Sequence, residues 1–164
     1  MARKKGPSGT PALVALEAAG VAHTVHPYEH DPASDLGYGL EAAQAIGVPA
    51  EQVFKTLMAV VDGELTVAVV PVTGLLDLKA LAHAVGAKRA VMADRPVAER
   101  ATGYVVGGIS PLGQRARHRT VVDETAELFD VVYVSGGRRG LDIGLAPADL
   151  VRLTGAVVAD VARG

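Results

Sequence analysis

Lys55 is the residue whose setting most suggests chemistry: an ammonium inside the apolar run Phe54-Lys55-Thr56-Leu57-Met58-Ala59-Val60-Val61. At a strand period of two, Val53, Lys55, Leu57, Ala59 and Val61 share one face, and Phe54, Thr56, Met58 and Val60 share the other. Both faces read as covered. A lysine in such a strand either lays its stem along apolar surface to reach water or points its charge into a polar cavity. The strand pattern alone leaves both open, and the snorkelling lysine is the commoner outcome.

Two glycine-rich stretches could handle anions. Ser135-Gly136-Gly137-Arg138-Arg139-Gly140 reads as a loop whose main-chain N–H groups and arginines have the makings of an anion nest. It lacks the Gly-Lys-Ser/Thr ending of a nucleotide-binding loop and opens a strand instead of a helix, so NTP binding is not expected. A tight turn with solvated arginines explains it equally well. Gly107-Gly108-Ile109-Ser110-Pro111-Leu112-Gly113 is a second irregular stretch, where glycines can serve left-handed backbone angles. His26 and His30 have the four-residue spacing of a helical zinc pair, but Pro27 breaks any helix between them and no third ligand stands out, so no metal is expected. Neither Ser110 nor Ser135 sits in a Gly-x-Ser-x-Gly elbow.

Composition narrows the classes. The 164 residues contain no cysteine, which removes disulfides, thiolate metal sites and a cysteine nucleophile together. Aromatic residues make up only 4%, too few for a base-stacking platform. With 16 Lys and Arg against 18 Asp and Glu, any nucleic-acid partner must be held by a local basic patch. No apolar run is long enough to span a membrane, and the basic N-terminus lacks a signal peptide's apolar segment, so a cytoplasmic protein is expected, with neither a membrane nor DNA as partner.

The elements that must position these residues follow from caps and breakers. Residues 1–9 read as a flexible basic tail and 10–164 as one domain. Thr10-Pro11 starts a helix that ends at Gly20, a strand follows over Val21–His26, and a loop runs to Gly39 before a helix over Leu40–Ile46. Asp62-Gly63 predicts a hairpin joining the Lys55 strand to one over Leu65–Val70. Asp77 and Pro96 mark two further helix starts around a strand at Arg89–Met92. Strands are predicted at Thr120–Val122, Val131–Val134 and Leu141–Leu145, a short helix near Glu124–Leu128, a helix from Pro147 to about Gly155, and a closing strand or helix at Val157–Val161. The fold class is α+β.

Taken together, Tyr28-Glu29-His30-Asp31-Pro32, Phe54-Lys55-Thr56-Leu57, Met92-Ala93-Asp94, Ala101-Thr102-Gly103-Tyr104, Gly107 to Gln114 and Tyr133 to Asp142 resemble the YbaK/EbsC family, most closely its Cys-tRNA(Pro) deacylase branch. The resemblance implies a compact domain with a mixed, largely antiparallel, barrel-like sheet flanked by helices. It also implies a trans-editing deacylase that needs no cofactor and removes cysteine from mischarged tRNA(Pro), with prolyl-tRNA synthetase as a possible partner. It points to Lys55 as the indispensable residue, with Thr56 beside it, and to Tyr28, Tyr38, Gly107, Ser135 and Asp142 as pocket positions. In that reading the N–H groups of Gly107 and Gly108 receive a developing oxyanion. Ser110 belongs to the matching Gly-Gly-Ile-Ser-Pro motif and is expected to bind substrate. Arg115, Arg117, Arg119, Arg138 and Arg139 would ring the cleft and meet tRNA phosphates. Two alternatives stay open: a deacylase for another mischarged tRNA such as Ala-tRNA(Pro), and a non-catalytic module that binds tRNA or a synthetase.

Overall fold

The computed structural model describes residues 9–31, 33 and 36–164. The expected tail over residues 1–9 therefore lies, but for Gly9, outside the described residues.

The first helix, α1 (Pro11–Ala19), starts where Thr10 Oγ1 accepts the Leu13 N–H at 3.2 Å and ends at left-handed Gly20. Thr10 also donates its hydroxyl to the Gly136 carbonyl at 2.7 Å, tying the helix start to a distant strand. Strand β1 (Thr24–Pro27) begins later than predicted, because Val21 N–H still bonds back to Leu16 in the helix C-cap. Helix α2 (Tyr38–Ile46) begins two residues earlier than predicted, so Tyr38 opens a helix instead of lying in a loop.

The hairpin forms as its turn chemistry requires. Asp62 (φ 47°) and Gly63 (φ 82°) both take left-handed angles between β2 (Phe54–Val61) and β3 (Glu64–Pro71). The chain continues through β4 (Leu75–Leu76), α3 (Leu78–Ala84), β5 (Ala90–Met92), α4 (Arg95–Thr102) and β6 (Arg119–Asp123). A 3-10 turn at Glu124–Leu128 leads to β7 (Val132–Arg138), β8 (Leu141–Leu145), α5 (Pro147–Thr154), β9 (Val157–Ala159) and β10 (Ala162–Arg163).

These strands make a five-stranded mixed sheet in the order β5-β2-β3-β6-β9, a three-stranded antiparallel sheet β1-β8-β7, and a β10-β4 pair. Most pairings are antiparallel; β3-β6 and β6-β9 are parallel. The described strands do not close into one barrel, and a single bridge, Val53 to Tyr133, joins the two larger sheets. Both faces of the β2–β3 hairpin are covered. Phe54, Met58 and Val67 pack with Leu13, Leu16 and Ile143 on one side, and Ala59, Val61 and Ala68 pack with Leu81 and Val161 on the other. Buried Asp123 stitches down the chain end: one carboxylate oxygen accepts N–H from both Val161 and Ala162 at 2.9 Å.

Two departures from the sequence reading shape the site. First, the stretch from Ser135 is not a loop. Strand β7 runs through it, pairing Ser135 with Asp142 and Arg138 with Leu141 around a bulge at Gly136-Gly137. A Cβ on Gly136 would lie 2.8 Å from the Leu141 side chain, and Gly137 (φ 106°) donates its N–H to Ser135 Oγ, so these glycines bend a strand and form no anion nest. Second, β5 is short. It pairs with β2 only along Ala59, Val60 and Val61, because the chain turns into α4 with Pro96 in its first turn. Phe54 to Met58 keep β3 on one side and have no strand on the other beyond the Ala93 N–H to Met58 carbonyl bond at 3.0 Å.

Candidate active site

A cavity of about 400 Å³ opens along that unpaired stretch of β2. An edge exposes side chains of both faces at once, which is why Lys55 and Thr56, opposite by alternation, line the same space. Tyr28 enters from the segment after β1, Tyr38 from α2, Gly107 from the loop after α4, and Ser135 and Asp142 from the paired strands β7 and β8. Phe54, Met58 and Ile109 give it an apolar wall.

Lys55 is half-buried, and its ammonium makes no hydrogen bond or ion pair with any described residue. Burial alone holds its ammonium below the usual lysine range. Thr56 Oγ1 is buried and likewise without a hydrogen-bond partner among the described residues. The Thr56 main chain also faces the cavity. In β2 the Val53 carbonyl bonds toward β3, whereas the Met58 carbonyl and Asp62 N–H bond toward β5, so even-numbered residues turn their polar groups away from β3.

Burial raises the Asp142 carboxyl to about 7. Burial first, then the nearby Asp142 and Glu41 carboxylates, raises the Tyr28 phenol to about 12, so it is a hydroxyl donor at neutral pH; it reaches the Tyr38 carbonyl at 3.4 Å. The Tyr28 and Tyr38 segments are locked together by Glu41, which accepts from His30 Nδ1 at 2.7 Å and from the Asp31 N–H at 2.8 Å. The His30 bond, then the Asp31 bond, holds the Glu41 carboxyl below its ordinary range. The His30 ring also stacks on Tyr38 at 4.5 Å. His26 is engaged elsewhere, with Thr24 and the edge of Tyr133. No group of three or more His, Asp or Glu among the described residues is placed to hold a metal ion.

The cavity brings together Lys55, Thr56, Tyr28, Tyr38, Gly107, Ser135 and Asp142, and leaves out other predicted residues. Gly108 does not line it, and its N–H is already spent on the Val105 carbonyl at 2.8 Å, so of the two glycines it is Gly107 whose N–H has no partner among the described residues. Ser110 is fully buried, accepts from the Leu112 N–H and does not line the cavity. The five arginines do not ring one mouth. Arg115 donates to the Arg100 carbonyl, Arg119 at the start of β6 donates to Thr66 of β3 and the Val61 carbonyl of β2, and Arg117 reaches the end of α5 beside Gly155. Only Arg138 and Arg139 stand near Gly107 and Gly108. Two residues that no sequence motif marks also serve the site: Arg95 lines the cavity and pairs with Glu99 at 3.3 Å, and Glu41 ties the Tyr28 and Tyr38 segments together.

An α+β fold with one half-buried, unpaired lysine in an edge-strand cavity is the setting in which the family relationship appears. Residues 38–153 match the model of the aminoacyl-tRNA editing domain, and the chain belongs to that family. It is 35% identical, over 98% of both chains, to an Enterococcus faecalis protein, EbsC, described as a candidate Cys-tRNA(Pro)/Cys-tRNA(Cys) deacylase. It is 31% identical to part of a Geobacter metallireducens proline–tRNA ligase, over 74% of this chain and 21% of the ligase. Among solved structures, one described as a candidate trans-editing enzyme for prolyl tRNA synthetase superposes with a TM-score of 0.84 at 29% identity, covering 98% of this chain and all of the other. No helix among the described residues is long and apolar enough to cross a membrane.

Proposed function

We propose that this protein removes cysteine from mischarged tRNA(Pro), acting in trans on the aminoacyl ester in the cytoplasm, where translation supplies the substrate. The observation that carries the reading is the unpaired Lys55 ammonium sharing a cavity with the unpartnered Gly107 N–H. Lys55 holds the phosphate of the tRNA's 3′-terminal nucleotide, and Gly107 N–H meets the carbonyl oxygen as it gains negative charge. A cavity of about 400 Å³ has room for the aminoacyl group with part of its ribose. The apolar wall of Phe54, Met58 and Ile109 suits a small uncharged side chain.

No protein nucleophile is required. The substrate's own thiol attacks its carbonyl carbon: a C–S bond forms, the ester C–O bond breaks, and the ribose oxygen leaves with a proton, giving a cyclic thioester. Holding the thiol and carbonyl in a reacting geometry is the main contribution asked of the cavity. Tyr28, Ser135 and Asp142 shape and polarise it. The similarity to a stretch of a proline–tRNA ligase supports prolyl-tRNA synthetase as the partner that presents the tRNA. The test is deacylation of Cys-tRNA(Pro) and Ala-tRNA(Pro) by the wild type and by Lys55→Ala. Release of cysteine in preference to alanine, lost in the variant, is expected. Wild-type turnover by Lys55→Ala would remove the lysine from the reaction, and preference for alanine would demand water as nucleophile.

A further inference from the structure

The arginine beside the cavity has its guanidinium committed before any tRNA arrives. Arg139 Nε and Nη2 donate to the same oxygen, the Val106 carbonyl, at 3.0 and 2.8 Å. The guanidinium also lies over the Tyr38 ring, 5.3 Å from its centroid. That ring occupies the place where a side chain on Gly107 would be, since a Cβ there would come 2.6 Å from Tyr38 Cε2. On the other side of Val106, its N–H donates to Glu99 Oε2 at 2.8 Å, and the Val105 carbonyl takes the Gly108 N–H. The turn is thus pinned at three consecutive peptide groups, and Gly107 N–H is the one left without a partner among the described residues.

We infer that Arg139 is a positioning residue, which aims and strengthens the Gly107 N–H as an oxyanion donor by gripping the carbonyl of the same peptide group. The peptide bonds here are all trans, so the Val106 oxygen and the Gly107 hydrogen point in opposite directions. Fixing the oxygen on Arg139 fixes the hydrogen on the far side, and Val106 and Gly107, the two residues of that peptide group, both line the cavity. A cation bonded to the oxygen also draws electron density through the amide, making its N–H a better donor. A lysine cannot reproduce this, because two N–H groups of one planar fork meet the single oxygen. Arg139 thereby has a role distinct from that of a phosphate contact, and the inference rests on the deacylase reading only in what the donor stabilises.

The test pairs kinetics with a readout of the peptide itself. In Arg139→Lys, which keeps the charge, kcat on Cys-tRNA(Pro) falls about tenfold, the scale of one charge-assisted hydrogen bond, while KM stays within about twofold. In the free protein's amide nitrogen–proton spectrum, the Gly107 resonance moves upfield and those of β6 stay in place. A phosphate contact gives the opposite pattern: Arg139→Lys retains kcat, and Arg139→Ala raises KM with kcat unchanged. That pattern, or an unmoved Gly107 amide in Arg139→Lys, overturns the inference. If the wild type leaves Cys-tRNA(Pro) intact, the deacylase reading fails, and the Gly107 resonance by itself still decides whether Arg139 grips the peptide.

Discussion

Asp142→Asn is expected to stabilise the protein in a strongly pH-dependent way. The carboxyl is 6% exposed and makes no hydrogen bond or ion pair with any described residue, so the amide loses no partner. Burial raises it from 3.8 to about 7, which means that the folded state binds its proton more tightly than the unfolded chain. The contribution of the neutral form is fully present below about pH 4 and is lost as pH climbs through 7. At 1.36 kcal/mol for each pH unit between the two values, the ionised Asp142 costs the fold about 4 kcal/mol at pH 8 and under about 2 kcal/mol at pH 5. The amide does not titrate and escapes this penalty. Urea unfolding of both proteins at pH 5 and pH 8 measures it: the advantage of the asparagine variant should grow by about 2.5 kcal/mol between the two. A difference that stays constant across that range would refute the desolvation account of Asp142. If the stabler variant is also the slower deacylase, the carboxyl is kept for the site at the expense of the fold.

Lys55→Met should abolish deacylation and yet be more stable than the wild type at pH 7, since it removes a charge that burial penalises without any ion pair to offset it. Because the folded lysine titrates below its unfolded value of 10.5, that stability gain should shrink as pH rises toward 10.5; a gain that widens with pH would contradict it. Gly107→Ala should lose both stability and activity, because φ is 93° there and the new methyl meets the Tyr38 ring. The left-handed backbone alone costs about 1–2 kcal/mol. In a Tyr38→Ala background the added loss should fall toward that figure, as a thermal unfolding comparison of the four proteins can check.

What the sequence by itself determined was local. Thr10-Pro11, Asp77 and Pro96 fixed helix starts because a cap or an N-terminal proline acts within one turn, and Asp62-Gly63 fixed the hairpin because few residue pairs tolerate two left-handed positions. Lys55 was conspicuous for the same reason: an ammonium breaks the apolar pattern wherever the strand ends up. What only the tertiary structure decided were the partners brought from far along the chain. Glycines at 136 and 137 read as a turn until α1 and β8 are seen packed against them, where they make a bulge. Nothing in Ala90–Met92 says that β5 will leave half of β2 unpaired, and that gap is the cavity. Gly107 and Gly108 are equivalent in sequence; the Val105 carbonyl takes the N–H of Gly108 and leaves that of Gly107 without a partner among the described residues. The arginines of 115–119 were parted by the partners each one found, Arg115 at the end of α4 and Arg119 across β2 and β3, since neighbours along a chain share a surface only when the fold turns them the same way.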